Sequence, residues 1–147
     1  MRKITGAFSY SCISVGIAVA VVALMMESLI LGIAYMAIVG LAVYLILMNY
    51  CRKCPHSMND SCHHGLPGKI AKKLPYKKTG KYTMIELLIV IVAILITFIA
   101  PIIFLYNQSI FIGIYGLLWL IGVLLLRRRV CPKCYNRWCV ICPNRVK

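Results

Sequence analysis

Residues 7–48 read AFSYSCISVGIAVAVVALMMESLILGIAYMAIVGLAVYLILM, an apolar run in which Glu27 is the one side chain charged at neutral pH. A helix of about 40 residues reaches roughly twice the ~30 Å of hydrocarbon in a bilayer, so the run has to fold back on itself. The break is expected at Met26-Glu27-Ser28, with one span from about Ala7 to Met25 and a second from about Leu29 to Met48.

The same reading finds a second pair, from about Met84 to Tyr106 and from about Ile110 to Leu126, divided by the polar Asn107-Gln108-Ser109. Pro101 falls in the last turns of the third span, where a kink near the interface costs less than one at the bilayer centre. The expected fold is an all-α integral membrane protein of four transmembrane helices in two hairpins, 1–48 and 83–126. A Cys/His- and Lys-rich loop occupies 49–82 and a four-cysteine tail 127–147. Composition agrees, since 62% of the 147 residues are hydrophobic, where a soluble domain has roughly 45–50% apolar residues. The start Met1-Arg2-Lys3 also suits a cleaved signal, but the apolar run far exceeds a signal's roughly 7–15-residue core, so the first span is expected to be retained.

The net charge of +14 comes from 17 Lys and Arg against three acids, Glu27, Asp60 and Glu86. In a soluble protein that excess suggests nucleic acid. Here the cations are Arg2 and Lys3, eight residues between Arg52 and Lys81, and seven between Arg127 and Lys147, which accounts for all of them. The connections at Glu27 and Asn107 carry none, so the positive-inside rule places both termini and the central loop in the cytoplasm, and nucleic acid is not the expected partner.

Shifting the chain by 80 positions lays Cys51-x-Lys53-Cys54 on Cys131-x-Lys133-Cys134, the turn at Glu27 on that at Asn107, and Tyr35 on Tyr115. Duplication of one unit would give a parallel repeat about the membrane normal and bring both cysteine motifs to one face.

The tail carries Cys131, Cys134, Cys139 and Cys142 as C-x2-C-x4-C-x2-C. Two C-x-x-C knuckles supply the four ligands of a tetrahedral site, because a two-residue spacing lets both thiolates of a knuckle face one ion. The loop offers Cys51, Cys54 and Cys62, with His56, His63 and His64 as candidates for a fourth ligand. Three thiolates with one imidazole suit zinc, whereas an iron–sulfur cluster prefers four thiolates, so zinc is the expected ion and a cluster the alternative. The sites are either separate or joined through Cys51, Cys54, Cys131 and Cys134. A reducing cytoplasm predicts thiols rather than disulfides. Cys12, inside the first span, reads as a small hydrophobe.

Lys69, Lys72, Lys73, Lys77, Lys78 and Lys81, with Tyr76 and Tyr82, precede the third span and are expected to hold anionic lipid headgroups, with tyrosines at the interface. Neither Glu27 nor Glu86 reaches mid-span, which argues against a proton-driven carrier. Gly16-x3-Ala20, Gly113 and Gly116 are expected at close helix contacts. No Ser-His-Asp set, phosphate-cradling glycine loop or paired carboxylates is evident, so the chain reads as a non-enzyme.

The layout, with Cys12 in the first span and cysteines in the tail, resembles small mercury-uptake membrane proteins, which implies soft-metal transport; that family has a cysteine pair where this chain has Cys12 alone. The cytoplasmic clusters also look like those of membrane subunits with iron–sulfur centres, which implies electron transfer; their runs end C-x3-C-P, and here the ending is Cys139-Val-Ile-Cys142-Pro. The residues themselves favour a membrane scaffold or accessory subunit whose metal-ordered cytoplasmic face docks a protein partner.

Overall fold

The computed structural model describes residues 2–54, 70–71, 73–75 and 81–131, with 2–6 and 130 as backbone only. Helix α1 spans Arg2–Glu27, α2 Leu29–Asn49, α3 Met84–Phe104 and α4 Ser109–Leu125, and α4 runs on through a wider helical turn, Leu126–Val130. Among the described residues there is no strand. Four helices are long and apolar enough to cross a membrane, α4 with its extension.

One residue, Ser28, separates α1 from α2. Its N–H closes α1 on the Leu24 carbonyl at 2.9 Å, and its carbonyl opens α2 by accepting the Gly32 N–H at 3.1 Å. The small residue that this reversal requires lies one turn downstream. A Cβ on Gly32 would meet Met25 Cγ at 2.3 Å and the Met25 backbone N at 3.2 Å, so glycine is what lets α2 begin against the end of α1. At the other connection Leu105 N–H reaches Pro101 O at 2.8 Å and Gln108 N–H reaches Leu105 O at 2.7 Å. The Gln108 amide also donates to the Glu27 carboxylate, which pins the two turns together.

Helix α1 packs along α2 and α4, and α2 packs along α3. Helices α3 and α4 meet through large side chains. Phe98 and Tyr115 stack at 5.9 Å, and Trp119 sets an edge against Phe98 at 5.3 Å and Tyr115 at 6.2 Å. The buried core of Ala20, Ala23, Leu24, Tyr35, Leu105 and Tyr115 lies toward the end that carries the turns.

Gly16 and Ala20 do lie at a close contact, Gly16 within 3.4 Å of Leu118 Cβ as measured from an added Cβ. Gly113 and Gly116 do not, because nothing comes within 4 Å of a Cβ built on either. Gly122 takes their place. Its added Cβ would stand 2.6 Å from Ile13 Cγ1 and 3.2 Å from Ser9 O, so this is where α4 and α1 approach.

Pro101 explains the most polar feature of the interior. Proline has no N–H, so the carbonyl four residues earlier loses its helical partner. That carbonyl belongs to Thr97, and it accepts the Tyr35 hydroxyl from α2 at 3.0 Å and the Tyr115 hydroxyl from α4 at 2.9 Å. Three helices are thereby joined at one oxygen. The outward faces remain apolar: Ile30 on α2, Ile85 on α3 and Ile110 on α4 are each more than 70% exposed. Water would penalise such a surface by ~25 cal/mol per Å², and hydrocarbon would not.

Candidate metal centre

The end of the bundle opposite Ser28 holds the first cysteine motif. After α2, the segment Cys51–Lys53 forms one 3₁₀ turn, and the Cys54 N–H donates to the Cys51 carbonyl at 3.1 Å. Side chains three apart eclipse one another in such a turn, so Cys51 and Cys54 share a side, as a knuckle requires. Both are half-buried.

The turn is docked on the start of α3. Lys53, the third residue of the motif, is buried and its ammonium donates to Glu86 Oε2, with each side chain only 9% exposed. Glu86 is held in turn by the first turn of α3. The Thr83 N–H donates to Glu86 Oε2 at 2.9 Å and the Glu86 N–H donates to Thr83 Oγ1 at 3.3 Å, a reciprocal cap that closes two of the helix's orphan donors. Tyr50 and Tyr82 stack face to face at 4.4 Å, and Arg52 Nε donates to Pro75 O at 2.6 Å. Sequence reasoning missed this clamp. Thr83-Met-Ile-Glu86 ahead of an apolar run was the available signal for the cap. Tyr82 is consequently a stacking partner of Tyr50.

The second motif begins at the same end, since Cys131 follows the extension of α4, which packs against α1. Cys131 is 3% exposed and disulfide-bonded. This departs from the expectation of reduced thiols. A disulfide sulfur is not a thiolate, so Cys131 is available as a metal ligand only once that bond is reduced. The Cys51–Cys54 turn supplies two of the four sulfurs that a tetrahedral thiolate set needs.

No family model, curated protein or solved structure matches this chain.

Among the described residues no three His, Cys, Asp or Glu side chains gather as a metal site. Cys62, His56, His63, His64, Cys134, Cys139 and Cys142 lie outside the described residues, as do Lys69, Lys72, Lys77 and Lys78. Lys73 and Lys81 are exposed, as are Arg127, Arg128 and Arg129 after α4. Cys12 is half-buried on α1.

Proposed function

We propose that this chain is a multi-pass membrane protein with both termini in the cytoplasm, where its cysteine motifs hold zinc and order a surface that docks a protein partner. The observation that carries the reading is the Cys51–Cys54 turn, shaped as a knuckle and fastened to α3 by the buried Lys53–Glu86 pair. A loop cysteine pair with no task would not need such an anchor. Cys51, Cys54, Cys62 and one of His63 and His64 form one ligand set, and Cys131, Cys134, Cys139 and Cys142 the other. Bound zinc would act as a structural crosslink, which suits closed four-ligand sites better than catalysis.

The basic residues flanking the spans meet anionic headgroups and set the orientation, each worth ~1 kcal/mol near the surface. The parallel repeat draws support from Tyr35 and Tyr115, partners at a shift of 80 positions, whose hydroxyls converge on one carbonyl. Ala42 and Gly122 are likewise partners at that shift, and both are small and buried.

The test is elemental analysis with optical spectra on protein purified anaerobically under reductant. At least one equivalent of zinc and a featureless visible spectrum are expected. Iron with visible absorbance that bleaches on reduction would replace zinc by an iron–sulfur centre and make the protein an electron carrier. Metal far below one equivalent would remove the proposal. Loss of Hg²⁺ or Cd²⁺ uptake in Cys12→Ser cells would instead favour soft-metal transport.

A further inference from the structure

We infer that Glu86 is the positioning residue of the first cysteine pair and acts through Lys53, an assignment that rests on the reading of Cys51 and Cys54 as metal ligands. A C-x-x-C pair receives an ion well only when the backbone already holds both sulfurs on one side. Helix α2 ends at Asn49, and the turn that follows is closed by Lys53 N–H to Tyr50 O at 3.3 Å and Cys54 N–H to Cys51 O at 3.1 Å, which leaves its fastening to the other helices to side chains. The fixing contacts come from the segment around the start of α3: Glu86 to Lys53, Tyr82 to Tyr50, and the Pro75 carbonyl to Arg52.

Two of these contacts are made from inside the motif, by Arg52 and Lys53, and of those the Lys53–Glu86 ion pair is the one away from water. A loop lysine ordinarily extends its ammonium into solvent. Lys53 turns inward to a carboxylate that the reciprocal cap with Thr83 has already oriented. The chain of support therefore runs from Thr83 to Glu86 to Lys53, and Lys53 lies between the two cysteines in sequence. The pair also has an electrostatic consequence. An uncompensated ammonium beside two thiolates would repel an arriving dication, and the Glu86 carboxylate cancels that field at short range.

The role can be read residue by residue in the full-length protein in detergent micelles. Alkylation of each cysteine is followed by mass spectrometry under reductant across a Cd²⁺ titration, and the Cd²⁺ concentration that half-protects Cys51 and Cys54 is recorded. Glu86→Gln keeps an oxygen acceptor for the Thr83 N–H, so α3 retains its cap while the charge is lost. It should raise the half-protecting concentration by ~10–100-fold, the usual effect of removing a group that orients a metal ligand. Lys53→Met should do the same from the other side of the pair. Lys53→Arg, which restores a cation, should return it to near the wild-type concentration, and protection of Cys139 and Cys142 should be unchanged throughout. Equal half-protecting concentrations in wild type, Glu86→Gln and Lys53→Met would overturn the positioning role while leaving the metal reading in place. Absence of Cd²⁺ protection at Cys51 and Cys54 in the wild type would overturn both.

Discussion

Thr97 shows how one missing N–H organises the interior. Its carbonyl lacks a helical donor because residue 101 is proline, and the hydroxyls of Tyr35 and Tyr115 both supply what is lost. The two donors are redundant, so their removal should not be additive. Tyr35→Phe or Tyr115→Phe alone leaves the oxygen with one partner and should cost about 0.6 kcal/mol, the typical value of a hydrogen bond between membrane helices. The double variant leaves a buried carbonyl with none and should cost about 1–3 kcal/mol more than the sum of the single effects. Pro101→Ala returns an N–H to the Thr97 carbonyl, and in that background the same double change should become nearly additive. Reversible unfolding in mixed micelles of the parent, the two single variants and the double variant, in each of the two backgrounds, measures the cycle. Additivity in the presence of Pro101 would mean that the two hydroxyls serve separate ends.

At the scale of helices, the close contacts are set by Gly16, Gly32 and Gly122, and the contrast with Gly113 and Gly116 is a test of that packing. Gly122→Ala drives a methyl group against Ile13, a β-branched side chain with little freedom to yield, and should destabilise the α1–α4 contact by about 1–3 kcal/mol. Gly113→Ala meets open space and should gain about 0.5–1 kcal/mol from helix propensity. Equal effects of the two changes in the same unfolding assay would refute the assigned contact. The spans themselves were legible, because length and the absence of charge identify them: the second was expected to begin at about Leu29 and the third at about Met84, where α2 and α3 start. Which glycines lie at contacts was not legible. Helices apolar on every side carry no polar face to give their orientation, so Gly113 and Gly122 look alike in sequence. The ion pair was hidden for another reason. Lys53 and Glu86 stand 33 positions apart across a loop whose path no periodicity reports.

For the molecule as a whole, the decisive quantity is which end faces the cytoplasm. The chain reverses at Ser28 and again at 105–108, so the start of α1, the Cys51–Cys54 turn, the start of α3 and Cys131 all lie at one end, and Glu27 and Gln108 lie at the other. Every Lys and Arg of the chain falls outside the two short connections, which makes the charge asymmetry complete. Moving such a set of cations across a bilayer during insertion is strongly disfavoured, so the proposed orientation puts the cysteine end inside. Because Cys54 and Cys131 lie at the same end, one pair of probes is chosen to report on both motifs. In intact cells an impermeant maleimide should label Asn107→Cys and should leave Cys54 and Cys134 unmodified. After permeabilisation under reductant, Cys54 and Cys134 should react as well, which shows that their earlier silence came from the membrane and not from burial. Labelling of Cys54 from outside would reverse the orientation. It would also move the thiols to a compartment where disulfides are stable, and the disulfide at Cys131 would then be that residue's resting state rather than a bond to be reduced before it can bind metal.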